Sequence, residues 1–458
     1  MSTLARCTFN LFQLNLFVMK KLLVLSFFTL IICVGCDDHS PYDPSYEGAN
    51  HHHIKKYPGD LAVNWAKLQM TISRSTPGFN PGLATRAFAY SGLTLYESVV
   101  EGMPGYKSVA SSLIGAKVQP PKQGPWLFYP ASANAAMATT LRSFIPTASP
   151  ESLAKIDSLE SAFNNEFSTE VPADLLIKSV DYGKKIANAI FEWSKSDGFA
   201  EAAAKNSSYI VPTGFGLWKP TPPAFIPPVN VYVNETRTFV KNILPLTLPK
   251  PPIPYSEEPG SPFYNQANYV YSVSQSLTPT DILTIKTWGE FPGNFTNALR
   301  YQQIAIQILD DANSSLDVAA IALAKHGMAT HEAVTCVFNA KYIHNVVRPI
   351  MYIREVLGHP EWNVVNTTPP HPEYPAAHAA VGRASSKVLE SILGTKYHFT
   401  DRTHENLYGA RTYNSLKAYS DEAGWSRVIG GIHYVESVKA GEIQGEKVGD
   451  LINKLFKH

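Results

Sequence analysis

Three short stretches toward the C-terminus concentrate Lys, Arg and His: "KYIHNVVRP" with Lys341 and Arg348, "HPEYPAAHA" with His371 and His378, and "SRVIGGIHYVES" with Arg427 and His433. Lys341 and Arg348 are seven apart, so two turns of one helix would present both from one face, with Pro349 ending that helix. In the second stretch, prolines 372 and 375 stiffen the approach to His378, and only small residues, beginning with Ala376 and Ala377, surround it. Arg427 and His433 are six apart, which an ideal helix does not align, so Gly430-Gly431 must turn the backbone. Each stretch alone has a plain structural reading: a solvated basic stripe, a turn in a Pro-rich loop, a core histidine. Convergence would change that. Two guanidiniums, an ammonium and imidazoles in a partly buried place repel unless a multivalent anion sits among them, and the chemistry implied is that of phosphate or an analogue.

In this order and with these internal spacings, Lys-x6-Arg-Pro (Lys341, Arg348, Pro349), Pro-x-x-His (Pro375, His378) and Ser-Arg-x5-His (Ser426, Arg427, His433) resemble the signatures uniting vanadium-dependent haloperoxidases with type 2 phosphatidic acid phosphatases and bacterial acid phosphatases. Weaker echoes, "TRAFAYSGLTLYES" and "GLWKPTPP", are similar to the haloperoxidase branch. The resemblance implies that His433 is the axial ligand to vanadium in vanadate, or in a phosphatase the nucleophile that forms a phosphohistidine. It implies that Lys341, Arg348 and Arg427 neutralise the oxyanion, that the Ala377 amide donates to it, and that His378 is the acid/base. One cradle serves both chemistries, because vanadate with an axial ligand has the trigonal bipyramidal shape of a phosphoryl-transfer transition state.

The sequence departs from the family pattern twice. The usual Pro-Ser-Gly-His reads Pro-Ala-Ala-His, so Ala376 lacks the serine hydroxyl. The Asp that often follows the last His by four is Ser437, and Glu436 beside it is the carboxylate expected to orient His433 within a helical turn. Seven residues before the acid/base His, chloroperoxidases carry Phe and bromo- and iodoperoxidases His; His371 stands there, and Phe338 is expected to wall the same halide pocket. The resemblance therefore implies oxidation of bromide or iodide by hydrogen peroxide, with vanadate as cofactor, phosphate as its competitor and a small organic acceptor. An acid phosphatase on the same site and a non-catalytic ligand-binding surface lipoprotein are the alternatives.

The elements that must position these residues are helices. Among 458 residues, 45% hydrophobic, apolar positions recur at helical spacing in 59–205 and again in 278–458. Between them 206–277 is so rich in proline that it reads as an irregular wrap. The expected fold is all-α: two packed helical bundles, with the anion site in a C-terminal four-helix bundle. Lys plus Arg (39) balance Asp plus Glu (38), which leaves no global basic field for nucleic acid. Residues 1–36 read as an export signal starting at Met19, with Cys36 in a stretch similar to the lipobox of bacterial lipoproteins. Residues 37–58, with the run His51–His53, read as a flexible tether. The expectation is an exported lipoprotein on the periplasmic or cell-surface face, touching the membrane only through its lipid anchor. Cys336 is the one cysteine left for the fold, so no internal disulfide can hold it.

Overall fold

The computed structural model describes residues 54–116 and 127–456. The export signal, Cys36 and the His51–His53 run lie outside the described residues. The first bundle is built from α1 (Asp60–Ser75), α2 (Pro81–Val99), α3 (Tyr129–Phe144), α4 (Pro150–Phe167) and α5 (Ala173–Ser194). Short α6 (Phe199–Lys205) follows. Starts are written locally in the sequence: Asn80 and Ser149 cap α2 and α4 with their side chains, and proline opens both helices, where its missing N–H is harmless.

The Pro-rich segment contains α7 (Ile243–Thr247) and α8 (Pro262–Ser274). The thirteen-residue α8 is more regular than the proline content suggests. Its proline sits at the first helical position and Ser261 caps it, so nothing interrupts the hydrogen-bond ladder. The rest of the segment is a strap pinned to the second bundle. Trp218 N–H bonds the Asn345 carbonyl at 2.8 Å, Val347 N–H the Gly216 carbonyl at 2.9 Å, and Val229 N–H the Pro370 carbonyl at 3.3 Å.

The second half holds α9 (Pro279–Trp288), α10 (Asn297–Asp311), α11 (Leu316–His344), α12 (Pro349–Glu355), α13 (Ala377–Leu393), α14 (Glu405–Tyr408), α15 (Leu416–Ile429) and α16 (Val435–Leu455). A two-stranded antiparallel sheet, β1 (Phe399–Asp401) with β2 (Arg411–Tyr413), lies between α13 and α15. The fold is thus all-α apart from this hairpin. Helix α11 serves both halves and is accordingly buried around most of its circumference. Its first half packs on α2, and further along it meets α13 and α16. Helices α11, α13, α15 and α16 make the bundle that carries the three cationic stretches. No helix among the described residues is long and apolar enough to cross a membrane.

Two features of this bundle have measurable consequences. Helix α16 approaches α13 through glycine: a methyl on Gly445 would lie 2.1 Å from the Ala380 carbonyl oxygen, and one on Gly441 would lie 2.5 Å from that of Ala376. Gly445→Ala is expected to cost about 1–3 kcal/mol by forcing the helices apart, read as a lower Tm in thermal unfolding. On α11, Glu332 is fully buried, accepting from the amides of Phe239 and Val240, and burial pushes its carboxyl up to about 8. The unfolded chain loses this proton near the ordinary carboxyl range while the folded chain keeps it to about pH 8. Stability contributed by this group is therefore full below about pH 4.5 and is lost as pH rises from there through 8. Glu332→Gln is expected to flatten that decline in denaturant titrations across pH 5 to 9; an unchanged slope would show that Glu332 does not cause it.

Candidate active site

The first two cations flank a turn. Helix α11 ends at His344, Asn345 adopts the left-handed conformation with φ 49°, and its amide returns to the Lys341 carbonyl at 2.8 Å. Arg348 precedes α12 and is extended, with ψ 149°, because Pro349 crowds the residue before it. The expected single helix face through Lys341 and Arg348 is therefore corrected. Pro349 opens a helix instead of closing one, and the two cations come from either side of the turn. Both are fully buried.

Lys341 is nevertheless placed differently from the anion-facing role. Its Nζ donates to the carbonyls of Pro372, Glu373 and Pro375 at 2.9, 3.0 and 2.6 Å. Burial and the Arg348 charge push its pKa down, but three carbonyl acceptors are matched only by the three protons of an ammonium. Lys341 clamps the loop before His378. Arg348 donates to the carbonyls of His371 and Ile432 at 2.9 and 2.8 Å, and lies 3.2 Å from His433 Nε2 and 2.9 Å from His371 Nδ1. Burial lowers its pKa to about 10, which leaves it a cation at neutral pH.

His433 sits between α15 and α16, after Gly431 has turned the chain at φ 81°. Its Nδ1 is 2.8 Å from the Glu373 carboxylate, which also accepts from the Tyr434 amide at 2.9 Å and the Ser437 hydroxyl at 2.9 Å. Glu436 does not orient His433. It accepts from the Ile253 amide at 3.2 Å. The helical spacing assumed between the two residues does not exist, because α16 begins only at Val435. Burial and the charges of Arg348, Lys341 and Arg427 hold His433 well below the usual imidazole range, so it is neutral. With Glu373 accepting at Nδ1 and Arg348 donating toward Nε2, the proton belongs on Nδ1 and the lone pair on Nε2.

His378 is the second residue of α13. It bonds the carbonyl of Trp288, the last residue of α9, and Tyr301 Oη donates to the His378 carbonyl at 2.9 Å. Arg427 Nη1 donates to the same Trp288 carbonyl at 3.1 Å. Burial, then Arg427, lowers the His378 pKa well below its ordinary value. His378 Nε2 and Arg427 Nε are buried without a partner. Ala376 caps α13 with no side-chain bond, and Ala377 begins it, so the first-turn amides also lack a side-chain cap. His371 and Phe338 pack edge to face at 4.9 Å.

The structure thus brings together Lys341, Arg348, His371, Ala377, His378, Arg427, His433 and Phe338. It adds Glu373 and the Trp288 carbonyl. Glu373 had a signal, an acidic residue between two prolines inside the second stretch; the backbone oxygen of Trp288 had none. Arg348 and Arg427, the unpartnered Nε2 of His378 and Nε of Arg427, and an uncapped helix start are the donor set of a multivalent oxyanion, to which Lys341 adds charge but no free proton, and vanadate or phosphate fits it. Among the described residues no group of three or more His, Cys, Asp or Glu could hold a bare metal ion.

The sequence family described as the VCPO second helical-bundle domain matches residues 322–458, from within α11 through α16, which hold the site residues named above except Trp288. A solved structure described as the first bacterial vanadium-dependent iodoperoxidase is 27% identical, covers 87% of this chain and 97% of its own, and superposes with a TM-score of 0.76. A bacterial vanadium-dependent chloroperoxidase in its holo form is 14% identical, with 82% and 92% covered and a TM-score of 0.59. The apo form of a bacterial vanadium-dependent chloroperoxidase gives 15%, 82%, 94% and 0.58, and these two show likeness of fold. No curated protein matches the sequence. The likeness to the iodoperoxidase structure extends through both helical halves, and the stretch matched by the VCPO second helical-bundle family, residues 322–458, holds all three cationic stretches.

Proposed function

We propose that this protein oxidises iodide or bromide with hydrogen peroxide at a vanadate bound to His433. The observation that carries the reading is the His433 ring, with Nδ1 2.8 Å from Glu373 Oε1 and Nε2 3.2 Å from the buried Arg348 guanidinium. Vanadate held there supplies the Lewis acidity that makes hydrogen peroxide a two-electron oxidant of halide. His433 Nε2 would be its protein ligand, with Arg348 and Arg427 and the first amides of α13 neutralising its oxygens. Lys341 contributes its charge and holds the loop.

The overall reaction consumes one proton: halide gives two electrons to peroxide, the O–O bond breaks, and hypohalous acid and water form. His378 is suited to handle that proton. Its Nε2 is buried without a partner, and its opposite nitrogen is fixed by the Trp288 carbonyl. His371 beside Phe338 would select the halide, which favours iodide or bromide over chloride; the likeness to an iodoperoxidase agrees. A small organic acceptor would take the oxidised halogen. Attachment to a membrane through a lipidated Cys36 belongs to the same proposal.

The same lone pair suits a phosphomonoesterase working through phosphohistidine, so the tests must separate the two. Reconstitution with orthovanadate is expected to give peroxide-dependent iodide oxidation that His433→Ala lowers by at least about a thousandfold. Steady hydrolysis of p-nitrophenyl phosphate lost in His433→Ala, with no oxidation of iodide or bromide, would establish the phosphatase instead. Neither activity, with turnover of no substrate changed in His378→Ala, would point to a binding protein.

Ala376 supplies the second prediction. A hydrogen bond to a charged group is worth roughly 1.5–3 kcal/mol, so Ala376→Ser is expected to tighten orthovanadate binding by about ten- to a hundredfold in calorimetric titration. An unchanged Kd with a raised Tm would show the new hydroxyl capping α13 and not reaching the anion.

A further inference from the structure

The carboxylate that serves His433 comes from an unexpected place. In the family pattern an acidic residue follows the last histidine by four; that position here is Ser437, on the first turn of α16. Glu373, sixty residues earlier in sequence, lies in the loop before α13 and puts Oε1 on His433 Nδ1 at 2.8 Å. Ser437 has not left the arrangement. Its hydroxyl donates to the other carboxylate oxygen, Oε2, at 2.9 Å, so the side chain standing where the acid would be grips the acid that replaces it. The Tyr434 amide completes the set at 2.9 Å on Oε1. Both Glu373 and His433 are almost fully buried, at 0% and 2% exposure, so no water competes for these bonds.

From this geometry we infer that Glu373 is the positioning residue of His433, a carboxylate relocated from α16 to the loop that delivers His378, and that Lys341 holds it there through the carbonyls of residues 372, 373 and 375. The inference rests on the proposed oxyanion site. Glu373 touches neither halide nor oxyanion; it fixes which ring nitrogen of His433 keeps the proton. The loop backbone leaves it little choice of place, since Glu373 N–H bonds the Val346 carbonyl at 2.9 Å and Ala376 N–H the Ser437 carbonyl at 3.0 Å. One short turn therefore sets both histidines, His433 through a side chain and His378 through the helix that the turn starts.

Charge and orientation predict opposite effects, which makes the role separable from mere structural support. Removing the Glu373 carboxylate leaves the surrounding cations less compensated, so an anion held by charge alone binds at least as well. An anion that needs the Nε2 lone pair binds worse, because the ring is free to move its proton to Nε2. The test uses the full chain as wild type, Glu373→Ala, and Glu373→Ala combined with Ser437→Asp, which returns an acid to the position four after His433. Three readouts apply: the 15N shifts of the His433 ring in the anion-free protein, calorimetric Kd values for orthovanadate and inorganic phosphate, and Tm. In wild type the ring is expected to carry its proton on Nδ1. In Glu373→Ala that signature is lost, the vanadate Kd rises at least tenfold and the phosphate Kd is unchanged or lower; in the double variant the signature and vanadate affinity return in part.

A wild-type ring protonated on Nε2 overturns the inference. So does a Glu373→Ala protein that weakens both anions equally with a lowered Tm and no rescue by Ser437→Asp, because that is the pattern of simple loss of structure. If the wild-type tautomer is as expected but vanadate does not bind, the positioning role stands on the ring shifts and the proposed haloperoxidase reading is what fails.

Discussion

Three cations, Lys341, Arg348 and Arg427, are buried with a single carboxylate, Glu373, at the C-terminal bundle's loop end, and the surrounding structure answers to that imbalance. Hydrogen bonds to neutral carbonyls return only about 0.5–1.5 kcal/mol each, whereas uncompensated buried charge costs several kcal/mol per ion. The protein nevertheless places carbonyls around Lys341 and Arg348 and leaves Arg427 Nε without a partner. Such an arrangement is strained toward an anion. It also explains the three histidines: His371, His378 and His433 are all pushed to the neutral form by burial and by these cations, so none adds to the charge and each keeps a lone pair.

The turn from His371 to Ala376 is where these demands meet. Its carbonyls hold Lys341 and Arg348, its glutamate holds His433, and its end launches α13 with His378 in the first turn. Everything that keeps this turn in place is consequently part of the site's support. The Pro-rich strap bonds Pro370 and Asn345 on either side, and the aromatic cluster of Phe263, Tyr352, Tyr374 and Tyr434 packs beneath it. The glycine seam on α16 brings that helix close enough for Ser437 to reach Glu373.

Much of this was legible in the sequence because it is local. Apolar periodicity marks the helices of 59–205 and 278–458. The three cationic stretches name most of the site by residue type and spacing. What was not legible depends on where helices begin and end. Lys341 and Arg348 read as one helical face, but Pro349 is equally able to start a helix, and the left-handed Asn345 decides between the two. Glu436 was expected beside His433 because a continuous helix was assumed; α16 begins two residues too late for that. Glu373 pairs with a residue sixty positions away, and no sequence period reports such a contact.

The central claim, that this cradle is built for an oxyanion held on His433 Nε2, is tested most directly by a crystal structure of the protein soaked in orthovanadate. Vanadium is expected bonded to His433 Nε2, with its oxygens in hydrogen-bond reach of Arg348 and Arg427 and His433 Nδ1 still on Glu373. Density bound elsewhere, or an unoccupied cradle at saturating vanadate with Arg427 turned to another partner, would contradict it.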